Sequence, residues 1–417
     1  MPPPLIIWCI TAVATAGVIL RPWRLPEYVW ALGGAVILVG SGLLAWQPAL
    51  GAVAKGDDVY LFLIGMMLLA ELARREGLFD WLATLAAGYA RGSSQRLFDL
   101  VFVVGTLVTV FLSNDATAVV LTPAVYAATR AAKAEPLPYL FICAFIANAA
   151  SFVLPISNPA NLVIFGAHMP PLPTWLALFS LPSVVAIGLT YVVLRLTQRQ
   201  HLRKPLGAVA PVPKLALGAR LTAAGIAVTA ILLLVVSALD RPLGLPTCLA
   251  GLATVALVHG LQRRNPWAVF KGVSWGVLPL VAGLFVLVEA LSQTGVIARL
   301  AQLLEHWSRV APQQATWGTG VLVAVACNLV NNLPAGLIAG SVGQLADLPG
   351  ATTRALVIAV DLGPNLSITG SLATLLWLIA VRREGQHVSA WTFLKLGALV
   401  MPVALLGALA AVSIAPW

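Results

Sequence analysis

Charged residues are scarce in this chain. Only 10% of its 417 residues are Asp, Glu, Lys or Arg, whereas 60% are hydrophobic. A soluble globular protein carries about 25% charged residues, so this composition cannot cover a surface that faces water on all sides. It excludes a soluble enzyme, a secreted disulfide scaffold and a disordered protein, and it predicts a polytopic membrane protein.

Cysteine is also scarce, and a nucleotide-binding motif is absent. The four cysteines, Cys9, Cys143, Cys248 and Cys327, form no C-x-x-C pair and have no histidine at zinc-ligand spacing. We therefore predict no metal site and interpret the cysteines as small hydrophobic residues. The sequence has no G-x-x-x-x-G-K-[ST] motif, so we expect a non-enzymatic protein with no cofactor and no ATP hydrolysis of its own.

Long apolar segments dominate what is present. A transmembrane helix needs about 20 apolar residues. Two segments, 138–166 and 355–381, are interrupted by polar and Pro-containing breaks. With the continuous segments they predict ten crossings. The continuous candidates are residues 5–20, 29–46, 59–73, 175–194, 221–239, 245–261, 273–291 and 391–414.

Two further segments each consist of short apolar arms around a polar tip. They are residues 97–130, with the tip at Ser113–Asp115, and residues 315–345, with the tip at Asn331-Asn332. An arm of about 16 residues covers roughly 24 Å at 1.5 Å per residue, less than the ~30 Å hydrocarbon core. We interpret both segments as re-entrant hairpins, with pairs of full spans as the alternative. Either arrangement returns the chain to the side from which it entered, so the sidedness of the other crossings is the same.

The basic residues predict the orientation. If the amino terminus is outside, the inside loops contain all but five of the 25 basic residues, as the positive-inside rule requires. Lys55, Arg241, Arg299, Arg309 and Arg354 are the five outside. This distribution accounts for the net charge of +10 without nucleic acid. Both termini are then outside, and residues 196–220 form a basic cytoplasmic linker.

An internal repeat connects the two halves. The pattern of Gly65, Glu71 and Gly77 returns 218 residues later at Gly283, Glu289 and Gly295, and the same shift places Asn114 on Asn332. The segment 161–166 matches 365–370. We predict a first repeat over 1–195 and a second over 221–417. Each would contain five crossings and one hairpin, and this odd number predicts that the repeats are inverted, as in secondary transporters.

The polar residues of the tips and breaks are the predicted substrate ligands. Irregular backbone at membrane depth occurs only inside protein or beside a watery cavity, and Asn, Ser and Thr provide neutral donors and acceptors. Such a site suits a neutral polyhydroxy solute, an oxyanion or a small cation; helix capping is the alternative role. The predicted ligands are Ser113, Asn114, Thr117, Ser157, Asn158, Asn161, Asn331, Asn332, Asn365, Ser367 and Thr369.

Four acids lie within or close to apolar segments, and an acid in a membrane is by default a functional hypothesis. Glu71 precedes Arg74 and Arg75, so an ion pair at the membrane boundary explains it. Asp115, Asp361 and Glu289 remain candidates for proton coupling, because desolvation favours the neutral form of a carboxyl group.

These motifs together resemble the arsenite efflux permeases, the ArsB family. The segment 361–377 reads D-L-G-P-N-L-S-I-T-G-S-L-A-T-L-L-W, similar to the D-L-G-P and G-S-L-A-T-L-L-W signature of that family, and the other three polar motifs also match. The resemblance implies the ion transporter superfamily fold, the bacterial inner membrane, and export of arsenite and antimonite driven by protons. It also implies that a soluble arsenite-stimulated ATPase can be a partner.

One position departs from the family pattern. An acidic residue often precedes the first broken-helix segment in the family, whereas this chain has Ala147-Asn148-Ala149. A coupling role would then fall to Asp115 or Asp361. Three alternatives stay open at this point: a sodium-coupled transporter of sulfate or carboxylates on the same fold, a membrane anchor for a soluble ATPase, and ligation of arsenic by thiols.

Overall fold

The computed structural model describes residues 2–165, 169–207 and 212–414. Every regular element in these ranges is helical, and none of them is a strand, which confirms the predicted all-α fold. The last residue of the predicted segment 138–166, residues 208–211 of the predicted linker and the last three residues of the chain lie outside the described ranges.

The first half contains eleven α-helices joined by short irregular segments. A π-helical segment, Thr117–Leu121, connects α7 to α8, and a 3₁₀ turn, Pro155–Ser157, precedes α10. The helices are α1 (Pro3–Leu20), α2 (Glu27–Gly40), α3 (Trp46–Ala54), α4 (Asp57–Arg75), α5 (Leu78–Tyr89), α6 (Ser94–Phe111), α7 (Asn114–Ala116), α8 (Thr122–Ala131), α9 (Leu137–Ala149), α10 (Pro159–Phe165) and α11 (Leu172–Gln198).

The second half contains ten α-helices. A 3₁₀ turn, Gly363–Leu366, lies between α19 and α20. The helices are α12 (Leu217–Ala238), α13 (Gly244–Gln262), α14 (Trp267–Gly272), α15 (Val277–Gln293), α16 (Val296–Val310), α17 (Pro312–Val330), α18 (Asn332–Leu345), α19 (Gly350–Leu362), α20 (Leu372–Arg383) and α21 (Ala390–Ile414).

Six of the described helices are individually long and apolar enough to cross a membrane, namely α1, α6, α11, α12, α13 and α21. Five of these belong to the predicted crossings, whereas α6 is an arm of the first predicted hairpin. The other five of the predicted ten crossings do not individually meet this test of length and apolarity, so the number of crossings stays a prediction. The prediction of one continuous span over 29–46 is wrong at its end. The helix stops at Gly40, because Gly42 takes the left-handed conformation at φ 74°, and a new helix starts at Trp46.

The two halves repeat the same order of elements, which supports the predicted duplication. In each half, the helix with the repeated Glu is followed by a left-handed glycine, Gly77 at φ 73° and Gly295 at φ 79°, which begins the next helix. Each half ends in a long helix with an internal proline, Pro182 in α11 and Pro402 in α21. The inverted orientation of the halves stays a prediction.

The halves are packed into each other rather than side by side. Helix α4 packs on α13. In the same way α15, the repeat equivalent of α4, packs on α2, the repeat equivalent of α13. Helices α11 and α21 pack on one another, and α10 of the first broken helix packs on α18 of the second hairpin. This interlocking places all four polar elements in the interior.

Candidate functional site

Asp361 is the buried acid of the second broken helix. It lies in the last turn of α19, which ends because Pro364 has no N–H to continue the helix. Its side chain is fully buried, and Oδ1 accepts a hydrogen bond from Nδ2 of Asn158 in the first broken helix. Oδ2 has no hydrogen-bond partner among the described residues. A carboxyl group from one half is thus held by an amide from the other.

Asn158 is fixed for this role by the start of α10. Its Oδ1 accepts from the backbone N–H of Ala160 at 3.0 Å, and Pro159 occupies the first helical position. That oxygen satisfies an otherwise free N–H of the helix start, and the amide nitrogen is left to donate to Asp361. Asn158 is therefore both a helix cap and a partner of the acid.

A second contact between the halves lies beside the first. Nδ2 of Asn148 donates to Oδ1 of Asn365 at 3.0 Å and to the hydroxyl of Thr374 at 3.3 Å, and Nδ2 of Asn365 donates to the carbonyl of Phe145 at 2.9 Å. Oδ1 of Asn148 has no partner within the described structure. The sequence prediction had included Asn365 but not Asn148.

Asn161 and Ser151 complete the buried polar set. Nδ2 of Asn161 donates to the carbonyl of Ser151 at 3.0 Å, and Oδ1 of Asn161 is another buried oxygen without a partner in the described ranges. The hydroxyl of Ser151 donates to the carbonyl of Asn148 at 2.7 Å. Acceptor oxygens without donors therefore remain on Asn148, Asn161 and Asp361.

The hairpin tips are shaped by asparagine and serine caps. The hydroxyl of Ser113 accepts from Ala116 N–H at 3.2 Å, and Oδ1 of Asn114 accepts from Asp115 N–H at 2.9 Å. At the second tip, Asn331 adopts φ 73° and accepts from Leu333 N–H at 3.3 Å, while the N–H of Asn332 donates to Gly370 O at 2.9 Å. The asparagines of both tips are buried, and the re-entrant interpretation stays a prediction.

A cavity of about 20 Å³ lies between the two tips and the first broken helix. Its polar lining is Asn114, Asp115, Asn158 and Asn332. Apolar residues of α4, α10, α15, α18 and α20 complete the lining. A space of this size accommodates about one water molecule. The predicted tip residues thus meet at one point, although they come from different halves.

A larger cavity of about 450 Å³ connects this point with one face of the protein. It shares Asp115 and Pro159 with the small cavity and extends to Arg74 and Arg383. Because these arginines belong to loops predicted to be cytoplasmic, the larger cavity provides access from the predicted cytoplasmic side.

The remaining predicted ligands lie in the supporting structure. The hydroxyl of Ser157 donates to Val110 O at 3.0 Å, and the hydroxyl of Thr117 is paired with that of Thr109 at 2.8 Å. Ser367 and Thr369 donate to Oδ1 and to the carbonyl of Asn328, at 2.8 and 3.0 Å. The hydroxyls of Ser157, Ser367 and Thr369 connect a hairpin to a break, whereas the pair of Thr109 and Thr117 lies within the first hairpin.

Asn328 is a structural residue that the sequence reasoning missed. Besides accepting from Ser367, it donates to Ala324 O at 2.7 Å and to Gly363 O at 2.9 Å. Asn328 therefore joins the second hairpin to the second break. The only signal for it in the sequence is an amide in an otherwise apolar arm, three residues before the tip.

Neither of the two repeated glutamates lines the small cavity, although Glu71 lines the larger one. The buried carboxylate of Glu71 pairs with the partly exposed side chains of Arg74 and Arg75, at 2.6 Å to each, as the boundary interpretation predicted. Glu289 pairs with Lys55 at 3.1 Å and lines neither cavity described above. Of the three proposed coupling acids, only Asp115 and Asp361 thus belong to the polar interior.

The two deepest cysteines each contact a backbone carbonyl. Cys143 and Cys327 are buried, and each Sγ faces a backbone carbonyl, of Tyr139 at 3.8 Å and of Ala359 at 3.9 Å. No cluster of three His, Cys, Asp or Glu residues that could hold a metal occurs in the ranges that the structure describes.

The fold and the family are those of membrane transporters. The chain belongs to the citrate transporter family, CitMHS, whose family profile matches residues 6–381. It is 27% identical to the arsenical pump membrane protein of Yersinia enterocolitica, over 92% of this chain and 91% of that protein. Identity to the arsenical pump membrane protein of Escherichia coli K12 is 26%, over 92% and 98%. These relatives confirm the resemblance to the arsenite efflux permeases.

Solved structures confirm the transporter fold. The Alcanivorax borkumensis YdaH transporter superposes with a TM-score of 0.63 at 16% identity, over 99% of this chain and 98% of that one. The Neisseria gonorrhoeae MtrF structure gives a TM-score of 0.55 at 11% identity, over 99% and 95%. The multi-pass membrane fold of this chain is thus shown by its relatives as well as by its apolar helices.

Proposed function

We propose that this protein is a secondary transporter that exports arsenite and antimonite from the bacterial cytoplasm in exchange for protons, with both termini outside the inner membrane. The observation that carries the proposal is Asp361, a buried acid at the junction of the two broken helices with a free acceptor oxygen. The arsenical pump relatives support the substrate.

The chemistry of the interior supports a ligand that donates hydrogen bonds. Arsenite near neutral pH is an uncharged trihydroxide, and the free oxygens of Asn148, Asn161 and Asp361 are acceptors. None of the residues that line the small cavity is Lys or Arg. This set suits As(OH)3 or Sb(OH)3 better than a dianion.

Transport requires the hairpin tips to move. A trihydroxide has four heavy atoms, whereas the cavity between Asn114 and Asn332 accommodates about one water. The solute would approach from the cytoplasmic side through the larger cavity, past Asp115. Separation of the tips would then admit it to the interior beside Asn158.

Exchange follows if proton and solute compete for Asp361. The ionised carboxylate accepts a hydrogen bond from a hydroxyl of As(OH)3. A proton arriving from the outside occupies that oxygen, removes the acceptor and favours release of the solute. The proton leaves to the cytoplasm when the site faces inward again, which restores the acceptor. Asp115 at the first tip is the second group available for this role.

The test is flux of As(III) into proteoliposomes containing the purified chain. Under this proposal an imposed pH gradient drives uphill transport without sodium and without any soluble ATPase. A sodium gradient alone should drive none. No flux under a pH gradient, from a well-folded preparation, would contradict the proposal and favour a chain that acts mainly as the membrane anchor of an ATPase.

A second candidate is a sodium-coupled transporter of carboxylates or sulfate, and the family description, citrate transporter, supports the carboxylate among these substrates. Oxygen ligands suit hard cations, and the free oxygens of Asn148, Asn161 and Asp361 offer such ligands. Sodium-driven uptake of labelled citrate or sulfate, with no response to arsenite, would establish this alternative.

A further inference from the structure

A third cavity, of about 370 Å³, lies on the side of the protein predicted to face outward. It shares no lining residue with the two cavities near the hairpin tips. The beginnings of α17 and α19 and the end of α21 surround it. Its lining residues are Pro312, Gln313, Thr316, Pro349, Gly350, Ala351, Arg354, Val412 and Ser413.

Arg354 is the only charged residue among those that line this cavity. Its side chain is only 3% exposed. Nε donates to the carbonyl of Gly350 at 3.3 Å, whereas Nη1 is buried and has no hydrogen-bond partner in the described structure. None of the ion pairs of the described residues includes it. A buried guanidinium without an anion is costly, so this arrangement calls for a negatively charged ligand.

Two helix beginnings add partial positive charge at the same place. Helix α17 begins at Pro312 and α19 at Gly350, and neither has a side-chain cap. The first backbone N–H groups of a helix lack partners within it and favour anions; in α17 these start at Gln313, because Pro312 has no N–H. The hydroxyls of Thr316 and Thr352 are 3.0 Å apart and hold the two beginnings next to each other.

We propose that this cavity binds one phosphate-type oxyanion, with Arg354 and the first N–H groups of α17 and α19 as donors. No Asp or Glu lines it to repel an anion, and the guanidinium group provides a permanent positive charge at its wall. Inorganic phosphate and the phosphate of a lipid headgroup share this chemistry. The occupied site would fix the second hairpin to the second broken helix at their outer ends.

The experiment measures anion binding by the purified full-length protein. Inorganic phosphate is titrated calorimetrically against wild type, Arg354→Gln and Arg299→Gln in neutral detergent. Arg299 is the matched control, an exposed arginine of α16 in the predicted outside set. Losing a charge-assisted contact should weaken binding by about ten- to a hundredfold in Arg354→Gln, and Arg299→Gln should bind like wild type.

A second arm tests the lipid source. The melting temperature of each protein is compared in phosphatidylcholine vesicles with and without phosphatidylglycerol. Stabilisation of wild type and Arg299→Gln, but not of Arg354→Gln, by the anionic lipid would assign the site to a headgroup. Phosphate binding without this lipid effect would assign it to the free anion.

A milder variant keeps the proposal testable if Arg354→Gln fails to fold. Gln313 is exposed at the start of α17, and Gln313→Glu adds a negative charge there that a helix beginning tolerates. It should weaken phosphate binding or abolish the lipid effect. Equal phosphate titrations and equal lipid responses in wild type and the folded variants would overturn the proposal, as would the absence of both effects in wild type.

Discussion

The two broken helices occupy equivalent places in the repeat but differ at one decisive position. Ser157 of the first break and Asp361 of the second are related by the same shift that matches Asn161 with Asn365. The hydroxyl of Ser157 bonds to Val110 within its own half, whereas the carboxyl of Asp361 is held by Asn158 from the other half. One half therefore supplies an ionisable group, and the other supplies the amide that positions it.

The joints, meaning the hydrogen bonds that connect each hairpin to the break of the same half, differ in the same way. Val110 and Asn328 are equivalent under the shift of the tips. In the first half, a serine hydroxyl bonds to the backbone carbonyl of Val110. In the second half, the side chain of Asn328 donates to the carbonyl of Gly363 and accepts from the hydroxyl of Ser367, both in the second break. The comparison indicates that the second half holds its break more firmly beside the acid.

The largest expected effect comes from removing the charge that only the second break carries. We expect Asp361→Asn to abolish uphill arsenite export driven by a pH gradient. Some arsenite binding should remain, since the amide group that replaces the carboxyl group keeps an acceptor oxygen. In wild type, binding should weaken as the pH falls, because protonation removes an acceptor, and Asp361→Asn should show a smaller pH dependence. The measurement is flux and binding in proteoliposomes from about pH 5.5 to 8.5, a range over which a buried carboxyl group can change its protonation state.

Glu289→Gln is the control for this prediction, because its carboxylate pairs with Lys55 away from the cavities. It should retain uphill export. Wild-type export by Asp361→Asn would refute the assignment and transfer the role to Asp115; loss of export in Glu289→Gln would instead make Glu289 the coupling acid.

A second experiment sharpens the comparison of the joints. Asn328→Ala leaves the carbonyl of Gly363 and the N–H of Ser367 without their partner, and we expect a loss of about 2–3 kcal/mol in the free energy of unfolding. Ser157→Ala removes one neutral hydrogen bond to Val110 and should cost about 0.5–1.5 kcal/mol. Equilibrium unfolding in mixed micelles measures both. Equal losses would show that the two joints are energetically alike.

Substitutions at the two hairpin tips should have more equal effects than substitutions at the two breaks. Asn114→Ala and Asn332→Ala each remove one polar side chain from the small cavity. Loss of a neutral hydrogen bond should weaken arsenite binding by about 2- to 12-fold in each variant, with the melting temperature little changed. Direct binding measurements on both proteins test this, and wild-type affinity in both would exclude the tips as ligands.

The smallest effect is expected for the thiols. Replacing Cys9, Cys143, Cys248 and Cys327 together by Ala or Ser should leave arsenite export intact, because the two deepest thiols face backbone carbonyls. Proteoliposome flux of the variant is compared with wild type after its folding has been checked. A folded variant without transport would restore thiol ligation as the mechanism.

The sequence predicted most of the architecture because length and polarity are local properties. Apolar runs located the helices, and polar interruptions located the tips and both breaks within a few residues. The turn at Gly42 was missed, since a left-handed glycine in an apolar run leaves the hydropathy pattern unchanged.

The contacts between the halves could not be predicted in the same way. A repeat identifies equivalent residues, such as Asn161 and Asn365, but does not say which residues touch. The pairs Asn158 with Asp361 and Lys55 with Glu289 join residues more than 200 positions apart. These pairings depend on how the halves interlock, and no short motif encodes that.

The interlocking also has a consequence for biosynthesis. Asn158 meets Asp361 203 residues later, and the carbonyl of Ile164 receives the side chain of Gln344 180 residues later. The ribosome therefore delivers the first broken helix to the membrane long before its partners exist. Its buried amides must stay beside water or insertion machinery until the second half arrives, since unpaired polar groups are costly in lipid. A truncated first half should thus be a substrate for membrane quality-control proteases, and the complete chain should become resistant only after α18 and α19 have been inserted.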